Sequence, residues 1–376
     1  MRKLTGVQYR NTLRDLIAGL VGSADEAGAV LTSLNPVLAR YPKDEHPRIP
    51  QDPHGSYRRM DQALQQDHVD ASYTVALAAA AQLTTPSRLG RVAGACATDG
   101  DSGNDAGCLT DFIRRFGAQA FRRPLDAEEV EFFQSTYGVS GALDAETWGR
   151  VVSGILTAPE FLYLMEHGEE PIPGNEGAFA LSGYELATRL SYQFWETLPD
   201  AELLEAARTG ALKTSAGYTA QVDRLLADPR AQATVDAFFE DYLKLHEVAV
   251  LDRNNADAVF QAFAGEDLPG PNLRKGMIDD VVDMMRHYTW DQEGSLDDVL
   301  TSNLSFARGE DLANIYGVPV WDGRSAPPSF PAGQRPGLLT RAAFLATGLP
   351  TTRPIMKGVF LRTNILCDNI LVPPNN

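Results

Sequence analysis

The sequence predicts a nearly all-α fold. Apolar residues recur at three- and four-residue spacing along most of the 376 residues, while period-two alternation is almost absent from long runs. Helix-start signals, among them Ser182-Gly183-Tyr184-Glu185 and Asp228-Pro229, stand ahead of several of these stripes. The expected architecture is a multi-helical array of two or three packed helical subdomains with long Pro/Gly-rich loops. Four regions follow: 1–90, an N-terminal helical region; 91–170, a cysteine-bracketed loop and helical domain; 171–302, a central helical domain; and 303–376, a C-terminal loop and helical region.

Residues 4–20 give a first helix, with Val7, Leu13, Leu16, Ile17 and Leu20 on its apolar side and Thr5 as cap. The passage holding Pro36, Pro42, Pro47, Pro50 and Pro53 is expected to be loop, with His46 and His54 solvated in it. A helical pattern returns from Ser56 to Leu83 and ends in an alanine-rich run suited to close helix packing. Phe112, Ile113, Phe116 and Phe121 mark a helix that Pro124 breaks; Arg122 and Arg123 are placed to bond its C-terminal carbonyls. Asp126 with Glu129 caps the next helix, carrying Val130, Phe132 and Phe133. A third, from about Ala145 to Leu156, carries Trp148, Val151, Val152 and Ile155.

The densest helix signals lie between Ile155 and Ala207. Pro159 suits the first turn of a helix holding Phe161, Leu162, Leu164 and Met165. Behind the Ser182–Glu185 capping box, Leu186, Leu190 and Phe194 recur at four-residue spacing. Leu198-Pro199-Asp200 ends that helix and caps the next, with Leu203, Leu204 and Ala207. Tyr184, Tyr192, Phe194 and Trp195 cluster here. They read first as core packing and second as a ligand cradle, with Leu186, Leu190, Phe194 and Trp195 as the core joining the N- and C-terminal helical groups. Further on, Asp228-Pro229 opens a helix with Val235, Phe238, Phe239, Tyr242, Leu243 and Leu245, and another helix runs on to Trp290. Residues 303–334 show little periodicity, and two helices fall in the last forty or so residues before a frayed end.

Net charge is −17, so the basic footprint that nucleic acid or anionic membrane would require is missing. No run of about 18 apolar residues suggests a transmembrane helix. A polar helix follows Met1-Arg2-Lys3, so no signal peptide is read in these residues. Cys96, Cys108 and Cys367 form neither C-x-x-C nor C-x-x-C-H, which excludes a zinc ribbon or a covalent haem site among them. Cys96 and Cys108 bracket a Gly/Asp-rich loop, either as a disulfide or as two reduced thiols.

Asp279, Asp283 and His287 share one helix face and are a speculative metal set, the alternative being a solvated face. Asp99, Asp101, Asn104 and Asp105 invite a calcium reading but lack the glycine and glutamate of an EF-hand loop. Glu160, Glu166 and His167 could supply acid–base groups, without a third group to complete a constellation. His68 and His246 read as structural. No catalytic residue is assigned, no G-x-S-x-G or P-loop is present, and no cofactor site is read within the chain.

Seven stretches in one order, LTGVQYRNTLRDL, FRRPLDAEEVEFF, ILTAPEFLYLMEHGE, LSGYELATRLSYQFWETLPDAEL, NLSFARGEDLANIYGV, RPGLLTRAAFLA and KGVFLRTNILCDNILVPP, resemble exported bacterial proteins built from domains of unknown function 1587, 1595, 1592 and 1588. The resemblance runs from Leu4 to Pro374. It implies a periplasmic or extracellular location and hence favours the Cys96–Cys108 disulfide. It also implies a c-type haem segment following the proline-rich end, so that haem c belongs to the full-length protein, with a redox protein or haem domain as partner. The chain departs from the family at Gly348–Met356, where a histidine is missing. The expectation is an exported helical scaffold associated with a c-type haem module in electron transfer. The alternatives are an enzyme acting on polymeric carbohydrate and a cofactor-free partner-binding module.

Overall fold

A computed structural model describes residues 1–44, 65–137, 143–266, 268–348, 352–368 and 370. His46, His54, residues 56–64 of the expected second helix and the VPPNN end lie outside these. Among the described residues the fold is all-α, as expected, with strands limited to short pairs. The chain divides into two compact units, Met1–Glu45 with Met60–Ala231, and His46–Arg59 with Gln232–Asn376. The division at 231/232 falls inside the region 171–302.

The first unit opens with a two-residue strand, β1 (Arg2–Lys3), and helix α1 (Gly6–Val21). Thr5 caps α1: its hydroxyl accepts from the Gln8 N–H while Gln8 Oε1 accepts from the Thr5 N–H. Tyr9, Leu13, Leu16, Ile17 and Leu20 face the core. Val7 does not; it stands two residues before Tyr9, about 200° round the helix, and is half exposed. Helix α2 (Ala24–Leu38) replaces the start of the expected loop. Ser23 caps it, Ala27, Val30, Leu34 and Leu38 repeat at helical spacing on its buried face, and Pro36 is carried in the last turn.

Helices α3 (Gln66–Leu83) and α4 (Pro86–Val92) follow. The alanine-rich face of α3, Val75, Ala76, Ala79 and Ala80, is buried, and α3 packs on α2 and α7. After the Cys96 loop come α5 (Asp105–Phe121), α6 (Ala127–Tyr137), α7 (Ala145–Thr157) and the single turn α8 (Pro159–Leu162). Phe112 stacks on Phe116 at 5.3 Å and meets Trp148 edge-on at 5.4 Å, the aromatic centre of this core. Cys96 and Cys108 form a disulfide with Cα atoms 5.9 Å apart.

The Arg122-Arg123-Pro124 stretch works much as its chemistry suggests. Arg122 ends α5 in left-handed backbone (φ 62°) and is buried. Its guanidinium donates to the carbonyls of Ala120 (3.2 Å), Phe161 (3.4 Å), Tyr163 (2.8 Å) and Glu160. Arg123 instead forms a two-pronged pair with Glu129 (2.6 and 2.8 Å), whose carboxylate also accepts from the Asp126 N–H. The helix expected through Met165 therefore stops at Leu162. Strand β2 (Tyr163–Leu164) pairs antiparallel with β1, so β1 and Arg122 satisfy the backbone that a longer helix would have used.

A hairpin of β3 (Glu170–Pro171) and β4 (Phe179–Ala180) leads into α9 (Gly183–Phe194), α10 (Ala201–Arg208) and α11 (Ser215–Leu226). Gly183 lets α9 close on α10: a Cβ there would stand 2.5 Å from the Ala207 carbonyl oxygen. The unit boundary falls inside α12 (Pro229–Tyr242).

The second unit has shorter elements: α13 (Ala258–Ala264), α14 (Leu273–Arg286), α15 (Leu296–Thr301), α16 (Glu310–Tyr316), α17 (Ala342–Leu345) and α18 (Pro354–Phe360). Met277, Val281 and Met284 of α14 pack with Phe306, Leu312, Phe330 and Leu338. The stretch 303–334, weakly periodic as expected, still contributes Phe306 and Phe330 to the core and holds α16. Among the described residues no helix is long and apolar enough to cross a membrane.

Candidate functional site

Helix α14 carries the polar centre of the second unit. Its inner face is apolar except for two aspartates. Asp280 follows Met277 by three residues and precedes Met284 by four, so helical spacing drives a carboxylate into the core. Asp280 Oδ1 accepts from the Phe306 N–H (3.0 Å) and Oδ2 from the Tyr316 hydroxyl (2.8 Å), while Tyr316 itself accepts from the Ala342 N–H (3.0 Å). Arg341, fully buried, lies 3.6 Å from Asp280 and donates to the Leu304 carbonyl (2.6 Å). Burial pushes the Asp280 carboxyl up against the pull of Arg341, Tyr316 and the Phe306 N–H, and burial beside Asp280 pushes the Tyr316 phenol far up. This centre joins α14, α16, α17 and the 304–306 segment.

One turn along α14, Asp283 is almost buried under Arg308, which grips it with two bonds (2.6 and 2.7 Å), and under Arg286 (3.1 Å), which also pairs with Asp236. Burial pushes the Asp283 carboxyl up, opposed by both guanidiniums. The helix then widens into a π turn, His287–Asp291, a form that often marks functional sites. The widened turn brings His287 against Phe306 (5.3 Å) and Tyr288 (4.9 Å).

These groups line an open cleft of about 520 Å³, together with Asp291, Trp321 and Arg324. Arg308 lies over the Trp321 ring at 5.0 Å. Trp321 donates its indole N–H to the Ser325 carbonyl (2.8 Å). Asp322 shapes this loop by accepting from the N–H groups of Ser325 and Arg324 and from the Ser325 hydroxyl, which holds its carboxyl down at about 2. Gly323 (φ 78°) leaves room for Arg308, since a Cβ would stand 3.0 Å from its guanidinium. The cleft offers guanidinium, carboxylate and imidazole groups beside an aromatic wall, a combination suited to holding a polar ligand.

Of the speculative metal set, Asp283 and His287 thus reach one cleft, while Asp279 pairs with Lys275. Among the described residues no three His, Cys, Asp or Glu are arranged to hold a metal ion. Asp99 and Asp101 fold back on their own loop, accepting from the N–H groups of Asp101 (2.8 Å) and Gly103 (2.9 Å). Asp105 accepts from the Leu143 N–H (3.1 Å).

The aromatic cluster of the first unit is core in part. Tyr192 and Trp195 are buried: the Tyr192 hydroxyl is 2.7 Å from Thr12 Oγ1, and Trp195 donates to the Leu225 carbonyl (3.0 Å) with Arg230 on its ring. Phe194 and Leu186 are only partly buried, because the inner stripe of α9 runs through Ala187, Leu190 and Ser191. The whole of α9 lies within the first unit. Tyr184 faces a small cavity of about 240 Å³ with Glu160, His167 and Glu185. Glu185, the capping-box partner of Ser182, is the carboxylate held most tightly there. Its oxygens are taken by the N–H groups of His167 (2.6 Å), Ser182 (2.7 Å) and Gly168 (3.0 Å). Burial raises its pKa, but these three bonds bring it below the ordinary carboxylate value. Glu166 pairs with Arg189 at 2.7 Å, and His68 contacts Lys3 Nζ at 2.9 Å.

Sequence reasoning missed Asp280, Arg308, Tyr316 and Arg341. A signal was present for two of them: a carboxylate at core spacing in α14, and a single arginine, Arg341, within the largely apolar stretch LLTRAAF.

No curated protein and no solved structure matches the chain. Two sequence families do. Residues 108–166 match PSD5, protein of unknown function (DUF1595), and residues 181–318, which supply most of the cleft, match PSD4, protein of unknown function (DUF1592).

Proposed function

We propose that this chain is a non-catalytic helical scaffold of an exported protein, working beside a c-type haem module that lies outside residues 1–376. Asp283 carries the non-catalytic half of this reading. A carboxylate clamped by two guanidiniums is poorly placed to accept or deliver a proton, and the same holds for Glu185 under its three N–H groups. The Cys96–Cys108 disulfide supports export, since such bonds persist in oxidising compartments. The haem association rests on the resemblance of the seven ordered stretches. Its test is to express the complete reading frame in a host that matures c-type cytochromes and record the absorbance spectrum. A covalent haem signal in the exported protein is expected; a mature, haem-free protein would sink the haem half.

A carbohydrate-binding reading comes second, favoured by Trp321 beside Asp291 and His287 in the open cleft. Trp195 is buried and does not serve it. Binding to a glycan panel, lost on Trp321→Ala, would promote this reading; no binding by the folded chain would remove it.

A further inference from the structure

A second cleft of the same unit is chemically unlike the polar one. It holds about 390 Å³, within the range of about 300–1,000 Å³ usual for small-molecule sites. Leu245, Val248, Ala343, Phe344, Met356 and Phe360 make it apolar. Its mouth is cationic: Lys244, Arg353 and Lys357 border it, against one carboxylate, Glu247. In a chain of net charge −17 such a local excess of positive charge stands out. Lys357 is fixed in place by a bond from Nζ to the Leu345 carbonyl (2.9 Å), which leaves two further ammonium hydrogens for a ligand. Lys244 (φ 53°) and Arg353 (φ 45°) both sit in left-handed backbone, which is unfavourable for side chains of this type. Two such residues bordering one cleft are the kind of local strain that concentrates at ligand sites. Leu345 and Met356 leave apolar surface exposed at the same mouth.

The geometry points to a binding site for a monoanionic amphiphile of the fatty-acid class, its alkyl chain in the apolar cleft and its carboxylate between Arg353 and Lys357. Carboxylate on guanidinium and ammonium is a charge-assisted pairing, and the chain removes apolar surface from water on both sides. Neither the haem reading nor the polar cleft is needed for this site, so it stands or falls separately.

Titration of the intact chain with decanoate by calorimetry tests it. Saturable binding at one site is expected, weakened about tenfold or more by Arg353→Glu with Lys357→Glu. Met356→Asp, at an exposed position on the same cleft, should weaken it as well. Thermal melts of each variant check the fold. Decyltrimethylammonium binding as tightly as decanoate, or unchanged affinity in the charge-reversed variant, would overturn the proposal. So would co-sedimentation with phosphatidylglycerol vesicles without any binding of monomeric decanoate, which would assign the face to a membrane surface.

Discussion

The two units are stabilised by different physics. The first is built from longer helices around an aromatic and aliphatic core, with Trp148, Phe112, Phe116 and Ile155 fully buried. A buried charge of this unit, Arg122, donates to main-chain carbonyls and lies over the Tyr192 ring, and a disulfide closes its acidic loop. The second unit has short helices and long irregular connections, and sets Asp280 and Arg341 at its centre with Asp283 just above them. The difference teaches that weak periodicity need not mean a weak core. Where the apolar stripes are short, a charged network spanning four elements holds the segments in place. Such a network depends on the charge pair, because a buried charge left alone is far more costly than a lost apolar contact.

The largest expected effect comes from breaking that network. Asp280→Ala leaves Arg341 buried and unpaired and should destabilise the second unit by about 3–5 kcal/mol. The double variant with Arg341→Met should cost no more than the single one. Urea unfolding followed through Trp290 and Trp321 measures both, and simple additivity would show that the two residues do not interact. Trp148→Ala should cost the first unit a comparable amount, about 3–5 kcal/mol, with no partner substitution able to restore it. A rescue there would blur the contrast between the units. Smaller is the loss of the disulfide. Cys96→Ser with Cys108→Ser should lower the stability of the first unit by about 3 kcal/mol on the chain-entropy account. Melts under reducing conditions should reproduce that shift and leave the second unit unchanged.

How far each unit was legible follows from the range of its contacts. The caps of the first unit are local, and Thr5 with Gln8, Asp126 with Glu129, Ser182 with Glu185 and Asp200 with Leu203 all bond within three residues. Sequence reading found most of them because each is written in one short motif. Helix α2 is hidden by the prolines of its passage, which suggest loop although Ala27, Val30, Leu34 and Leu38 form a helical stripe. In the second unit the organising bonds are distant in sequence, with Arg308 and Asp283 25 residues apart and Tyr316 and Asp280 36 apart. Asp283 and His287 could be picked out as neighbours on one helix face, but Arg308 and Trp321, which complete their cleft, could not. Phe194 is only partly buried for a geometric reason: of its four-residue repeat, Leu190 lies on the buried stripe while Leu186 and Phe194 lie at the edge of it.

Acid offers the most direct test that the units differ in kind. Asp280 and Glu240 have pKa values raised in the folded state, first by burial. The folded second unit therefore retains protons that the unfolded chain releases, and this contribution to stability grows as pH falls through the raised values toward about 4. Two exposed aspartates of that unit, Asp298 and Asp322, are lowered and act in the opposite sense at still lower pH. In the first unit Glu185 and Asp200 are lowered: hydrogen bonds to backbone and to Arg224 outweigh burial. Their contribution is present above about pH 4 and is lost as pH falls through the folded values. Hydrogen exchange read by mass spectrometry at pH 7, 5 and 3.5, corrected for intrinsic rates, follows both units in one sample. The account predicts that protection of α14 and α16 rises relative to that of α9 and α10 as the solution is acidified. Protection falling equally in both units would contradict it.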